Sequence, residues 1–270
     1  MKDVLILGCG FTGRRVAEQM LQSGHRVLAT TREPSRLDYL AAAGATIVRM
    51  DVLDAESVHA LASLAPAAAL TLHSIPVPAG HLLKALSHKP ARIVYFSTTG
   101  VYGAAHEVDE HTPIAPRTQR ERLRATAEQE VATGPWPSLI LRPTAIYGPG
   151  RGVQEAMRAG TFRLVDGGAN YISRIHVDDL AAHAVAALLS NVTGAYPVAD
   201  EEPCTSADIA RFCTETLGLP LPASIVRAEA GETRQSDRRV DGSRIRALLG
   251  VTLRYPSYRD GIPASLTPGA

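Results

Sequence analysis

The chain has 270 residues, of which 45% are hydrophobic and 20% are charged, and its formal net charge is +1. This composition suits a globular protein with a full hydrophobic core, and the charge balance excludes a global electrostatic attraction to nucleic acid or an anionic membrane. The first apolar run, residues 4–7, is too short for a signal sequence or a membrane span.

The three cysteines have no metal-like spacing, and their odd number argues against a disulfide framework. We therefore expect no metal site and a reducing, cytoplasmic location. The expected partner is a small-molecule substrate, with neither nucleic acid nor membrane, and the chain is expected to be a monomer or a homodimer.

The predicted first strand, residues 4–7, runs directly into three glycines with G-x-G-x-x-G spacing. In a dinucleotide-binding turn the first glycine allows the tight turn, the second admits a pyrophosphate and the third lets the helix pack on the strand. The helix N-terminus then offers N–H groups and partial positive charge to the phosphates. The alternative is a strand–helix turn without a ligand. The residues predicted to bind the cofactor here are Gly8, Gly10, Phe11, Thr12 and Gly13.

Apolar runs and amphipathic segments alternate through the first half of the chain. The predicted strands cover residues 4–7, 26–30, 46–50, 67–73, 92–97 and 138–141. The predicted helices cover residues 11–22, 34–43, 54–64, 82–87, 118–133, 177–190, 206–217 and 242–249. This alternation predicts an α/β fold, a Rossmann-type doubly wound parallel sheet with a small, mostly helical C-terminal substrate lobe.

Two domains follow from this reading of the chain. Residues 1–150 are expected to form the NAD(P)-binding Rossmann domain, to which residues 174–198 return. Residues 151–270 are expected to form the small substrate-binding lobe, without a clean boundary between the two.

The end of the second predicted strand is where a Rossmann fold meets the adenosine ribose. An arginine there cannot accept a hydrogen bond from a 2′-hydroxyl, but it pairs well with a 2′-phosphate. The residues at this position are Thr31, Arg32 and Arg36, and they favour NADP(H) over NAD(H). The alternative is that Arg32 is an ordinary surface residue. Asp51 and Val52, at the end of the third strand, are placed to touch the adenine.

Several further segments resemble the extended short-chain dehydrogenases/reductases, in the order that the family shows them. FSTTGVYG, residues 96–103, resembles the segment of their fifth strand, and LRPTAIYGPG, residues 141–150, resembles that of the sixth. RIHVDDLA, residues 174–181, resembles the segment that returns to the nucleotide-binding lobe. Residues 239–249 and YPSYRDG, residues 255–261, resemble the end of NAD-dependent epimerase/dehydratase-like members.

The resemblance implies roles for residues around the nicotinamide. Thr98 matches the family's Ser/Thr that hydrogen-bonds the reacting oxygen, and its neighbour Thr99 could substitute for it. His73 and Ser97, at the ends of the fourth and fifth strands, are assigned to the cofactor pocket. The residues expected to line the nicotinamide are Pro143, Thr144 and Ala145.

The chain departs from the family at its catalytic pair, Y-x-x-x-K followed four residues later by Glu. Glu128 matches the trailing glutamate, so Arg124 stands at the lysine position and Arg120 at the tyrosine position. Arginine stays protonated and cannot cycle a proton, but it can steady an anion or a carbonyl oxygen. If these arginines face the cleft, they favour an anionic or carbonyl-bearing substrate. The alternative is a solvent-facing helix with i, i+4 pairs. The chain thus resembles an atypical member of the family.

Several side chains could act as the general acid/base in place of the family's tyrosine. Tyr102 and Tyr147 follow the fifth and sixth strands, His73 has a useful pKa as a residue type, and His176 precedes two aspartates. A structural role is the alternative for each of them. The predicted catalytic residues are Thr98, Tyr102, Arg120 and Arg124.

The resemblance implies nicotinamide hydride transfer to a small oxygenated substrate, such as a sugar-derived one, by an oxidoreductase or an epimerase/dehydratase-like enzyme. The alternative is a non-catalytic NADP(H)-binding sensor or partner protein, which loss of the Tyr–Lys pair favours.

Overall fold

A computed structural model describes residues 1–86, 89–231 and 236–266 of the chain. Within these residues the largest sheet has seven strands, all paired in parallel, in the order β7-β6-β5-β4-β1-β2-β3. The strands are β1 Asp3–Leu7, β2 Arg26–Thr31, β3 Thr46–Arg49, β4 Leu70–His73, β5 Arg92–Phe96, β6 Ser138–Pro143 and β7 Gly194–Val198. This order is that of a doubly wound Rossmann sheet, as predicted, and it reverses between β1 and β4.

Ten helices flank or follow the sheet in the described part of the chain. They are α1 Phe11–Gln22, α2 Asp38–Ala42, α3 Ala55–Leu64, α4 Gly80–Ala85, α5 Gln119–Ala132, α6 Val153–Arg158, α7 Val177–Leu189, α8 Ser206–Leu217, α9 Ser243–Leu249 and α10 Tyr258–Leu266. Short 3₁₀ helices cover Pro34–Leu37, Thr99–Tyr102, Asp166–Gly168 and Arg227–Glu229. The predicted helix 82–87 is α4, and its last position, residue 87, lies outside the described residues.

The two faces of the sheet are covered by different helices because side chains along a strand alternate between faces. Val4 and Ile6 of β1 pack in a buried cluster with α1, α2, α7 and α9. Leu5 and Leu7 pack in a second buried cluster with α3, α4 and α5. β1 is thus apolar on both sides, which is why its sequence is a continuous hydrophobic run rather than an alternating one.

A smaller lobe adjoins the carboxyl end of the sheet. Its buried cluster includes Met157 of α6, Ile209 of α8 and Ile262 of α10. Between these helices run short strands in pairs: Ala145–Tyr147 with Arg174–His176, Leu164–Val165 with Ser224–Ile225, Tyr171–Ile172 with Cys204–Thr205, and Glu107–Val108 with Arg239–Val240. The predicted helical lobe therefore also contains β-structure. α9, which falls in the predicted lobe by sequence, packs on α7 and β7.

One strand of the sheet was not predicted, and two predicted elements differ from the observed ones. The seventh strand, Gly194–Val198, was not predicted, because Gly194 and Pro197 both lower strand propensity; proline is tolerated at this edge position. The predicted helix 34–43 is interrupted at Leu37, whose φ of −119° and ψ of 13° separate a 3₁₀ turn from α2. The predicted strand 67–73 begins at Leu70, since Ala68 has a φ of 51°.

Two further observations concern the cysteines and the lengths of the helices. Cys9, Cys204 and Cys213 are buried free thiols. Across the described residues, every helix falls short of the length and apolar character that crossing a bilayer requires.

His183 is a buried polar residue on the face of α7 that packs against α1 and the sheet. Its Nδ1 lies 2.7 Å from the Asp179 carbonyl oxygen, and Nε2 has no hydrogen-bond partner among the described residues. Burial lowers the pKa of His183 to about 4. The side chain is therefore neutral in the folded protein near pH 7.

We predict that replacing His183 by leucine makes the free energy of unfolding less dependent on pH. The unfolded chain binds a proton at this histidine near its ordinary pKa, whereas the folded chain does not until about pH 4, so wild-type stability falls as pH decreases. Relative to the variant, the wild type should lose about 2 kcal/mol between about pH 7 and about pH 4.5. Urea denaturation of both proteins measures this; parallel pH dependence would contradict it.

Candidate functional site

The predicted glycine turn joins β1 to α1 at the carboxyl edge of the sheet. Gly8 has a φ of 81°, its N–H donates to Thr30 Oγ1 at 2.9 Å, and an added Cβ would lie 3.1 Å from Ile75 Cγ1. Glycine is therefore required here by conformation and by space. At Gly10 a Cβ would meet only the Gly8 carbonyl oxygen, at 4.0 Å. The turn thus leaves open space beside the N-terminus of α1, where a phosphate group fits.

The predicted ribose position lies at the end of β2. Arg32 is exposed and makes no ion pair or hydrogen bond within the described part of the chain. Arg36, by contrast, pairs with Glu33 at 2.7 Å between Nε and Oε2. Thr31 Oγ1 accepts a hydrogen bond from the Glu33 N–H at 3.2 Å. Arg32 is therefore the cation at this position that retains its full capacity to pair with an anion.

The residues predicted to touch the adenine follow β3. Asp51 is half-buried, and its Oδ1 accepts a hydrogen bond from the Leu53 N–H at 3.0 Å. Val52 is buried, and its carbonyl oxygen lies 2.8 Å from His81 Nε2. Both follow the carboxyl end of a strand adjacent to β2, as a binding site for the adenosine half requires.

His73 and Tyr95 lie side by side at the ends of β4 and β5, with ring centroids 4.8 Å apart. His73 Nδ1 accepts a hydrogen bond from the Ile75 N–H at 3.3 Å. Burial, with a smaller contribution from the charge of Arg124, lowers the pKa of His73 to about 3. The ring therefore remains neutral near pH 7, and its environment is that of a buried, hydrogen-bonded side chain.

A cleft of about 970 Å³ opens where the sheet meets the smaller lobe. Thr98 is half-buried on its wall, and its Oγ1 accepts a hydrogen bond from the Gly100 N–H at 3.2 Å. Its hydroxyl hydrogen is left to donate into the cleft. Beside it, Ser97 Oγ is buried without a partner among the described residues. The predicted site residues that line this cleft are Ser97, Thr98, Arg120, Arg124, Pro143, Thr144 and Ala145.

Arg124 occupies a defined position on the cleft wall. Its Nη1 donates to Tyr95 Oη at 3.2 Å and to the Phe96 carbonyl oxygen at 3.0 Å. Arg120, one helical turn earlier, is exposed and makes no ion pair or hydrogen bond in the described ranges. Both arginines line the cleft, and Arg120 is at the same time exposed to solvent.

Tyr102, predicted as catalytic, lies in the interior and is absent from the described cleft wall. It is 1% exposed, and its hydroxyl oxygen accepts a hydrogen bond from Arg142 Nη1 at 3.1 Å. Arg142 in turn forms a buried two-bond ion pair with Glu128, at 3.0 and 2.7 Å. Burial raises the pKa of Tyr102. This geometry favours a packing role.

Two further candidates for the missing acid/base are also buried. Tyr147 is 3% exposed, and its hydroxyl donates to the Ser257 carbonyl oxygen at 3.3 Å. His176 caps α7 by accepting from the Asp178 N–H at 3.2 Å, and burial lowers its pKa to about 4. Asp178 Oδ2 lies 3.7 Å from His176 Nδ1, and its other carboxylate oxygen pairs with Arg15 at 3.2 Å. Asp179 accepts hydrogen bonds from the backbone of residues 254 and 255.

The cleft also contains charged residues that were not predicted. Arg151 lies with its guanidinium carbon 5.2 Å from the centre of the Phe11 ring, beside the glycine turn. Arg117, on the segment before α5, makes no side-chain contact with an acid in the described residues. In the sequence, only the basic run before and along α5 could have indicated charged residues in this cleft. Such a run is equally typical of a solvent-exposed helix face. The unpredicted charged residues are His106, Arg117, Glu121, Arg151, Arg227, Asp237 and Arg238.

The cleft carries an excess of positive charge. Six arginines line it, against two carboxylates, Glu121 and Asp237. Glu121 is engaged at the N-terminus of α5, where its Oε2 accepts from the Thr118 N–H at 2.9 Å. A concave wall of this sign attracts anions.

Comparison with known proteins identifies the family. The family described as NAD(P)H-binding matches residues 8–191 of the chain. A 3-diazoavenalumate denitrifying reductase of Streptomyces sp is 31% identical, over 96% of this chain and 98% of that protein. A 2-alkyl-3-oxoalkanoate reductase of Stenotrophomonas maltophilia is 29% identical, over 82% of this chain and 77% of that protein.

Solved structures share the whole fold. The UDP-glucuronic acid 4-epimerase of Bacillus cereus, in complex with UDP-glucuronic acid and NAD, superposes with a TM-score of 0.79 at 20% identity. The superposition covers 97% of each chain. Fold and site together define an NAD(P)-binding Rossmann protein. The chain belongs to the NAD(P)H-binding family.

We predict that Tyr102→Phe lowers the free energy of unfolding by about 1 kcal/mol, because Arg142 loses a buried acceptor. NADPH affinity should be unchanged. Urea denaturation and an NADPH titration measure the two effects. Tyr39→Phe is the matched control, since Tyr39 donates to Glu18 at the surface and should change stability by less than about 0.5 kcal/mol. Wild-type stability in Tyr102→Phe would contradict the packing role.

Proposed function

We propose that the protein is an NADP(H)-dependent reductase acting on a small anionic substrate that carries a reducible carbonyl group. The observation that carries this proposal is the positively charged cleft beside Thr98, at the carboxyl edge of a Rossmann sheet. The cofactor-binding domain would comprise residues 1–150 with the returning segment 174–198, and residues 151–270 would contribute the substrate lobe.

The residues at the sheet edge fit a dinucleotide. The open space at Gly10 and the N-terminus of α1 suit the pyrophosphate, and Arg32, which has no partner among the described residues, suits a 2′-phosphate. Ser97, whose buried hydroxyl has no partner in the described chain, suits a polar group of the cofactor. When bound, the cofactor supplies the hydride. The remaining proposed contacts are Gly8, Phe11, Thr12, Gly13, Thr31, Arg36, Asp51, Val52, His73, Pro143, Thr144 and Ala145.

Thr98 is proposed to orient and polarise the reacting oxygen. One lone pair of its hydroxyl is engaged by the Gly100 N–H, which leaves the hydrogen to donate to a substrate oxygen. Arg124 is held by Tyr95 and Phe96, so its charge is fixed close to the same wall. A preorganised donor and a fixed cation both stabilise negative charge developing on oxygen.

An anionic substrate is supported by the excess of arginine in the cleft. Arg117 and Arg120 have no acidic partner in the described residues, so a carboxylate or phosphate could pair with them at little cost. The names of both curated relatives describe reductases of carboxylate anions. A non-catalytic NADP(H) sensor is the alternative, favoured by arginine at the Tyr and Lys positions.

We predict that Arg32→Ala weakens NADPH binding about tenfold to a hundredfold and leaves NADH binding nearly unchanged. The reason is the loss of charge-assisted hydrogen bonds to the 2′-phosphate. Calorimetric titration with NADPH, NADP+, NADH and NAD+ measures this. Arg26→Ala, at the opposite end of β2, removes the same charge far from the pocket and is the control. Equal weakening for NADH, or none for NADPH, would remove Arg32 from the pocket.

We predict that Thr98→Ala lowers kcat about a hundredfold on any oxo acid that the wild type reduces, with NADPH affinity nearly unchanged. NADPH oxidation with pyruvate, acetoacetate and longer oxo acids measures turnover. Thr126→Ala is the control, because Thr126 is exposed and donates to the Arg122 carbonyl oxygen within α5. Full turnover in Thr98→Ala would exclude its role. Tight NADPH binding without turnover of any oxo acid would favour the sensor.

A further inference from the structure

The cleft contains a histidine beside a carboxylate that neither the family motifs nor the predicted residues include. His106 Nδ1 lies 3.4 Å from Asp237 Oδ2. The other carboxylate oxygen, Oδ1, accepts the Tyr171 N–H at 2.8 Å, so the backbone holds Asp237 in place. Both residues line the cleft. With Nδ1 facing Asp237, Nε2 of His106 is the ring nitrogen available to a substrate, and no described residue hydrogen-bonds it.

A single guanidinium brings His106 onto the same wall as Thr98. Arg238, next to Asp237, donates from Nη1 to the Thr99 carbonyl oxygen at 2.6 Å and from Nε to that of Ala105 at 2.9 Å. Thr99 and Ala105 directly neighbour Thr98 and His106 in sequence. Since one guanidinium group spans only a few ångströms, these two carbonyl groups lie close together. The loop is thus folded so that both side chains reach one cleft.

The backbone beyond His106 is fixed as well. The His106 carbonyl oxygen accepts the Arg239 N–H at 2.7 Å. Residues 107–108 then pair in parallel with residues 239–240. His106 and Asp237 therefore stand at the start of two paired segments rather than on a free loop, which gives the histidine–carboxylate pair a reproducible geometry.

We propose that His106, oriented by Asp237, is the proton donor that replaces the tyrosine missing from α5. This inference rests on the proposed reductase function. In the step, the C=O π bond of the substrate breaks. Its carbon accepts the hydride supplied by the reduced cofactor, and its oxygen accepts the proton from His106 Nε2. The ring is left neutral and regains a proton from solvent, and the cofactor is released oxidised.

Histidine suits this role because it changes charge near neutral pH, whereas the arginines at the family's Tyr and Lys positions do not. The charged groups on the two segments that meet at His106 are Asp237, Arg238, Arg239 and Glu107. Arg239 is paired with Glu107 at 2.6 Å, and Arg238 is engaged by backbone carbonyls. Asp237, whose Oδ2 lies 3.4 Å from Nδ1, is therefore the charged group positioned to orient the ring.

The test compares His106→Gln, Asp237→Asn and His111→Gln with the wild type, using NADPH and the oxo acid that is turned over fastest. His106→Gln should lower kcat about a hundredfold and abolish the fall of turnover with rising pH that a protonated donor produces. Asp237→Asn, which keeps the acceptor for Tyr171, should lower kcat about tenfold. His111 is the matched control, because it forms a similar pair with Glu110 at 3.7 Å on the surface.

A second readout does not depend on turnover. In protein loaded with NADP+, acetoacetate should shift the ring resonances of His106 in proton NMR spectra and leave those of His111 in place. The His106→Gln spectrum assigns the resonance. An unshifted His106 would overturn the proposed contact.

The outcomes separate the two proposals. If the wild type reduces an oxo acid and His106→Gln retains its rate and pH profile, the proton-donor role is wrong and the reductase function stands. If the wild type reduces none of the oxo acids, the reductase function fails and the proton-donor role fails with it.

Discussion

The geometry of the cleft depends on one buried ion pair, between Glu128 of α5 and Arg142 of β6. The two side chains are 4% and 8% exposed and are joined by two hydrogen bonds. Removing either partner would leave an uncompensated charge in the interior, which is strongly destabilising. The pair therefore holds α5 against the sheet. Arg120 and Arg124 precede Glu128 at intervals of four residues. They therefore share its face of the helix, and fixing that face directs both arginines to the cleft.

The same pair links three parts of the site. Arg142 lies one residue before Pro143, which begins the 143–145 wall of the cleft, and it also donates to Tyr102 below the Thr98 loop. α5, β6 and this loop are thus held by one network, which gives Glu128 a structural role. Arg124 is itself restrained by Tyr95 and Phe96. A restrained guanidinium loses little conformational freedom when it binds an anion.

Local sequence patterns sufficed for six of the seven strands of the sheet and for the glycine turn. Both depend on neighbours within a few residues: a continuous apolar run means a buried strand, and glycine spacing means a tight turn. The edge strand Gly194–Val198 and the His106–Asp237 pair were not predictable in this way. The strand forms because β6 offers it an edge, although Pro197 weakens its own propensity. The pair joins residues 131 positions apart, and no periodicity relates them. The motif position of Tyr102 does not indicate which way its side chain packs, and the structure buries it.

On the proposed mechanism, this protein divides between separate residues two tasks that the family's Tyr–Lys pair performs together. Arg124 supplies permanent positive charge, and His106 supplies a proton that can be replaced from solvent. The division has a consequence for specificity. A cleft with fixed arginine charge attracts an anion at every pH at which the protein is folded, whereas turnover follows the protonation state of a solvent-accessible histidine. Substrate binding and chemistry are then separable by pH, because different ionisable groups govern them.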